Sequence, residues 1–190
     1  KETYERDQLL VIPLILILVF LVLVILLRAL LAPILLLSSV VLSFFSAIGA
    51  AWLLFENVFG MSGLDFSVFL YSFLFLVALG VDYNIFLVSR AREEAANLAG
   101  TVSQPTRQAM VKALGATGGV ITSAGVLLAA VFAVLGVLPL IALFQVGIIV
   151  GIGVLIDTLL VRTVVVPATA FIAGDKFWWP RKQMTASKFG

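Results

Sequence analysis

The chain has 190 residues, 63% apolar and 12% charged, with a net charge of +2 and a mean hydropathy of +1.23. Soluble domains carry about 25% charged residues, so this is an integral membrane protein, and so slight a positive excess excludes a nucleic-acid surface. Cys and His are both absent, which removes disulfides, thiolate chemistry, His-ligated metal and imidazole acid–base catalysis and leaves proton chemistry to carboxylates and tyrosines.

The polar opening, residues 1–7, begins at Lys1 and lacks a cleavage-site pattern, so the apolar run behind it is not a signal peptide. We read it as the end of an extracytoplasmic domain or linker, and the chain as a piece of something larger. A first uncharged run, about 8–28, is long enough to cross a hydrocarbon core of about 30 Å. Pro13 sits in its first turns, where proline is best tolerated, and Arg28 closes it. Ala32-Pro33 leads into a second span, about 34–55, with Ser38, Ser39, Ser43, Ser46 and Gly49 at spacings that suit close helix packing.

A loop with Glu56 and Asp65 but no base precedes the third span, about 66–90, which holds Asp82 and ends on Arg90 and Arg92. The connection over 91–105 is charged and helix-permissive, and Ser103-Gln104-Pro105 reads as a helix start. The charge-free run of 44 residues from Ala113 to Ile156 is too long for one crossing. A turn at Gly136–Pro139 divides it into spans at about 113–136 and 140–173. The last must tilt, bend at Pro167 or run along the interface. Residues 174–190 form a tail in which Phe177, Trp178 and Trp179 lie among Lys176, Arg181 and Lys182, an interfacial aromatic belt with basic neighbours.

Arg28, Arg90, Arg92, Arg107, Lys112, Lys176, Arg181, Lys182 and Lys188 all fall on one side of these five spans. The positive-inside rule makes that side cytoplasmic, with the N-terminus outside and the C-terminal tail inside.

Asp82 stands out because a carboxylate at bilayer depth costs at least about 2.5–3.5 kcal/mol and marks a functional position by default. Counting from Phe66, it lies about 24 Å along the helix and about 12 Å before Arg90, in the inner half of the membrane. Burial there disfavours the charged form, which suits the group to exchanging a proton. Tyr83 adds a hydrogen-bond donor best directed at an acid on another helix. Ser89 returns to nearly the same face as Asp82, and Thr122 and Ser123 can hydrogen-bond into a path near it. The bland alternative is a structural Asp satisfied by a hydroxyl.

Asp157 and Arg162 are the other intramembrane charges. In an α-helix a separation of five puts them about 140° apart, so each is expected to find its partner on another span, with function and packing equally open. The small-residue faces Gly115, Gly118, Gly119 and Gly147, Gly151, Gly153 are read as packing surfaces. No phosphate loop, dinucleotide fingerprint or nucleophile elbow is present in the sequence.

The segment Leu79-Gly80-Val81-Asp82-Tyr83-Asn84-Ile85-Phe86-Leu87, with Arg90 and Arg92-Glu93-Glu94, resembles the Asp-Tyr motif of the tenth membrane helix of mycobacterial membrane protein large (MmpL) exporters, in the resistance-nodulation-division superfamily. Ala116 to Gly125 resembles that family's eleventh helix, and Leu155 to Pro167 with Trp178-Trp179-Pro180 its twelfth. The resemblance implies an all-α bundle of five transmembrane helices corresponding to helices 8–12 of a twelve-helix transporter. It also implies that Asp82 and Tyr83 are half of a proton relay, with Ser123 a neighbour and Asp157 and Arg162 supporting polar residues.

The expected partners are the N-terminal half of the same transporter (helices 1–7 and extracytoplasmic domains), membrane lipids and a lipidic substrate, without nucleic acid. Monomer and trimer are both open. The expected activity is proton-motive-force-driven export of lipids, glycolipids or other amphipathic molecules across a bacterial inner membrane. This is a secondary active transporter and not an enzyme, with protons as coupling ion and no cofactor. The alternative is a lipid- or sterol-sensing or protein-export auxiliary protein on the same scaffold without small-molecule transport.

Overall fold

Lipid offers the backbone no hydrogen bonds, so apolar runs of this length form helices that satisfy their own N–H and C=O groups. A computed structural model describes residues 2–61, 63–99 and 102–180. It contains α1 (Glu2–Leu27), α2 (Leu31–Asn57), α3 (Phe66–Leu98), α4 (Pro105–Leu135), α5 (Ile141–Ile156), a π-helical segment (Asp157–Val165), α6 (Val166–Ala173) and a 3₁₀ turn (Gly174–Trp178). From α5 through α6 the chain is one continuous helical rod, which breaks at Gly174 (φ 54°), and five helical runs are long and apolar enough to cross a membrane. Among the described residues there is no strand. Lys1 and residues 181–190, with the basic side chains Arg181, Lys182 and Lys188, lie outside the described residues.

The sequence-based boundaries differ most at the basic end. Helix α3 continues to Leu98, its exposed Arg90 reaching Glu93 at 3.1 Å and Glu94 at 2.8 Å, the i,i+3 and i,i+4 pairs that support a helix beyond its apolar part. Helix α4 begins at Pro105, where the missing N–H of proline is no loss.

The connections gather at two ends. At one, Arg28 ends α1 in the left-handed region at φ 47°. There the Leu30 N–H donates to the Trp179 carbonyl at 2.7 Å, and Arg92 Nη1 donates to the Leu26 carbonyl at 3.2 Å. Arg107 Nε reaches the Phe171 carbonyl at 3.0 Å, while Thr106 Oγ1 donates to Asp175 and accepts from Trp178 Nε1. The aromatic tail thus folds back against the starts of α2 and α4, burying Phe177 and Trp178.

Between the ends, Phe44 of α2 packs edge-to-face on Phe69 and Phe73 of α3, with centroids 5.1 Å apart. Helix α5 lies at the centre because its glycines admit its neighbours. A Cβ at Gly153 would come within 3.1 Å of Ala47 and closer still to Leu76, and one at Gly147 within 2.6 Å of the Phe132 carbonyl. The glycines of α4 behave differently from the packing surface expected of them: around Gly115, Gly118 and Gly119 a Cβ would meet nothing within 4 Å. That stripe faces away from the bundle, and the close approach on α4 occurs further along, at Gly125.

At the opposite end, buried Gln145 of α5 ties down the α2–α3 connection. Its Oε1 accepts from the Asp65 N–H at 2.9 Å and its Nε2 donates to the Gly63 carbonyl at 2.8 Å. Asp65 caps α3, accepting from the Ser67 N–H at 3.0 Å and the Ser67 hydroxyl at 2.6 Å. The Ser67 hydroxyl and then the backbone N–H hold its carboxyl below the ordinary 3.8.

Replacing Gln145→Leu strands both loop groups and is expected to destabilise this end by about 1–3 kcal/mol, read as faster amide exchange over residues 59–68 in detergent-solubilised protein. Because the Asp65 carboxyl is lowered by folding, its cap is complete above the ordinary value of 3.8 and is lost as pH falls through the lower folded value. Protection of the first turn of α3 should therefore be flat near neutrality and decay only below about pH 4.

Candidate functional site

Helix α5 passes into the π segment at Asp157, and the segment ends just before Pro167, which cannot donate to the carbonyl of the preceding turn. There the ladder runs i→i+5, as in the bond from the Val166 N–H to the Val161 carbonyl. Residues five apart then stand one above the other. Arg162 Nη2 meets Asp157 Oδ2 at 2.7 Å, and both side chains are buried. This corrects the expectation that the two charges point apart and seek partners on other spans: that reasoning assumed α-helical turns, and the π register turns the same spacing into an ion pair within one segment.

The rest of the site is built around this pair. The Arg162 guanidinium lies over the Tyr83 ring, 4.7 Å from its centroid, a cation–π contact strengthened by the exclusion of water. Its Nε and Nη1 make no hydrogen bond among the described residues. Gly80, one turn before Tyr83, brings the α3 backbone close to the pair: a Cβ there would lie 3.8 Å from Asp157 Oδ1 and 3.1 Å from Val40 Cγ2. Thr158, beside Asp157, is seated against Gly125 of α4, where a Cβ would come within 2.7 Å of its Cγ2. Ser43, Gly80, Tyr83, Asp157 and Thr158 line one small cavity of about 10 Å³ between α2, α3 and the π segment.

Of the residues singled out from sequence, Tyr83, Asp157 and Arg162 come together. Asp82 does not join them. It is exposed on the outer surface of α3, with no hydrogen-bond or ion-pair partner among the described residues, so the burial expected for it is not supplied by this chain. The reason is geometric: adjacent helical residues point about 100° apart, and α3 turns Tyr83 inward. Ser89 bonds back to the Phe86 carbonyl and Ser123 to the Val120 carbonyl, so both hydroxyls are satisfied within their own helices. Thr122 is half-buried on α4. Thr158, Ser43 and Gly80 were not singled out as site residues. Thr158 lies in the π segment itself, and the packing of α2 and α3 on that segment brings Ser43 and Gly80 beside the pair. Among the described residues no group of three or more acids could hold a metal ion.

Residues 1–189 match the MMPL family. The chain belongs to that family. Over 180 residues it is 52% identical to ActII-3, a membrane protein of Streptomyces coelicolor, covering 95% of this chain and 24% of that one. It is 44% identical over 182 residues to the apo-petrobactin exporter of Bacillus anthracis, covering 96% and 24%. With the acyltrehalose exporter MmpL10 of Mycobacterium tuberculosis it shares 41% identity over 180 residues, covering 95% and 17%. The chain therefore spans about a quarter or less of the length of these relatives, and it is a multi-pass membrane protein.

Within this member of the MMPL family, Arg162→Leu leaves the Asp157 carboxylate buried and unpaired, and is expected to cost about 3–5 kcal/mol. Combining it with Asp157→Leu should recover most of that loss, because two well-packed apolar side chains often replace a buried ion pair at little cost. Thermal unfolding of the single and double variants in detergent checks this through the coupling energy.

Proposed function

We propose that this chain is part of the transmembrane machinery of a proton-driven exporter of lipids, glycolipids or other amphipathic molecules, sited in a bacterial inner membrane with its N-terminus outside and its C-terminus cytoplasmic. The observation that carries the reading is the pairing of opposites at two adjacent residues. Asp82 projects partnerless from a spanning helix, and Tyr83 beside it rests on the buried Arg162. A carboxyl group in that position needs a partner from another element, and the N-terminal half of the same transporter (helices 1–7) is the natural source. The names of the apo-petrobactin and acyltrehalose exporters support an amphipathic cargo. The gathering of Arg92, Arg107 and the aromatic tail at one end of the bundle supports the orientation.

In this reading Asp82 takes up a proton from the outer side, and loss of its charge lets α3 shift against the opposing half. Tyr83, stacked on Arg162, carries that shift to the π segment, and the proton then leaves inward. A proton crossing 150–200 mV supplies about 3.5–4.6 kcal/mol, enough to bias a two-state rearrangement more than about a hundredfold.

Asp82→Asn keeps size and hydrogen bonding but cannot be charged. In the full-length transporter reconstituted in vesicles with an imposed pH gradient, it should reduce gradient-driven export by more than about a hundredfold while leaving expression and thermal stability intact. Undiminished gradient-driven export by this variant would overturn the reading.

A further inference from the structure

Most helical hydroxyls here satisfy themselves. Ser38, Ser39 and Ser46 of α2 donate to the carbonyls of Ile34, Leu36 and Leu42 at 2.7–2.8 Å, Thr117 and Thr169 do the same at 2.8 Å, and Thr163 bonds back to Leu159. Ser72, Ser43 and Thr158 depart from that habit, and the last two lie at the site described above. Both are buried, at 4% and 1% exposure, and neither hydroxyl has a partner among the described residues. Beside these two, Asp157 Oδ1 is also without a partner among the described residues, and it belongs to the carboxylate whose other oxygen holds Arg162. All three residues line the same cavity of about 10 Å³.

Orphaned buried polar atoms are rare because each costs about 1–3 kcal/mol. Three such atoms on residues that line one cavity point to a shared ligand. A buried water typically makes about three hydrogen bonds to such groups, and needs about 10–15 Å³. We infer that Ser43, Asp157 and Thr158 form a binding site for a single internal water, which ties α2 to the π segment and holds Asp157 so that its other oxygen faces Arg162. The charge balance selects water over a cation of similar size. Asp157 is already neutralised by a guanidinium at 2.7 Å, and a sodium ion there would meet that positive charge without a second carboxylate to offset it. Gly80 forms the wall on the α3 side, and a methyl group there would stand 3.8 Å from Asp157 Oδ1, intruding on the space the water needs. Ser43 and Thr158 are thus positioning residues for the ion pair.

The test is X-ray radiolytic footprinting of the full-length transporter in lipid nanodiscs, in which hydroxyl radicals made from a bound water oxidise the side chains around it. Leu76 and Val154 line the cavity and are 4% and 3% exposed, so their labelling reports the internal water and not bulk solvent. Wild type should label there, Thr158→Ser should retain the signal because it keeps the hydroxyl, and Thr158→Val and Gly80→Ala should each lower it about threefold or more. Should Gly80→Ala fail to fold, the native Thr and its near-isostere Val at position 158 decide alone. Labelling at background in wild type, equal labelling in wild type and the Val variant, or a signal that changes when sodium is exchanged for N-methylglucamine would each overturn the assignment.

Discussion

The Asp157–Arg162 pair is the contact on which the arrangement of this bundle turns. As a source of stability a buried ion pair is weak, because removing two charges from water roughly cancels their attraction. What it does supply is register. Only an i→i+5 ladder brings these two residues together, so the pair and the π segment require one another, and Pro167 relieves the ladder of one donor just where the segment ends. Returning to α-helical turns would separate the charges and leave both unpaired in the core. The π register is therefore held by a penalty against its alternatives more than by its own bond energies.

Three other helices take their positions from this segment. Helix α3 offers Gly80 and Tyr83 to the two ends of the pair, α4 offers Gly125 to Thr158, and α2 offers Val40 and Ser43 from the remaining side. Gly80, Gly125 and Ser43 allow the approach by being small, while the Tyr83 ring replaces part of the hydration the guanidinium has lost. The close contacts at Gly147 and Gly153 bring α5 to the same centre. Distances between spans at the level of the polar site are thus set by where a Cβ is missing.

The five spans, the turn at 136–139 and the helix start at Pro105 are legible in sequence because each rests on a strong local rule: an apolar run of bilayer length, a proline that cannot continue a helix, a charge that must stay near the interface. The grouping of basic connections at one end is legible for the same reason. What escapes is everything that depends on departures from α geometry or on what other chain segments cover. Asp157 and Arg162 are visible as charges, but their mutual contact depends on a register with no periodic signature of its own. The glycine runs on α4 and α5 look alike in sequence, yet Gly147 and Gly153 are packed tightly and Gly115, Gly118 and Gly119 are open, since composition cannot say which face a helix turns inward. Gln145 reads as an incidental polar residue until the loop it ties is seen.

Helix α3 presents two chemistries from one rigid rod, and this bears on how an event outside the bundle could reach its centre. Asp82 and Tyr83 are neighbours in sequence but face different surroundings, one uncovered by this chain and one under a buried guanidinium. A helix rotates or slides as a body, because its backbone bonds resist local distortion far more than its packed faces resist sliding. A change of charge at Asp82 that moved α3 would move the Tyr83 ring relative to Arg162 and the Gly80 wall relative to Asp157 by a similar amount. Neither contact is elastic: stacking falls away steeply once the cation leaves the ring face, and a side chain packed at near-crystal density has few intermediate positions. A small displacement on the outer face would thus be met at the centre by a choice between two packings.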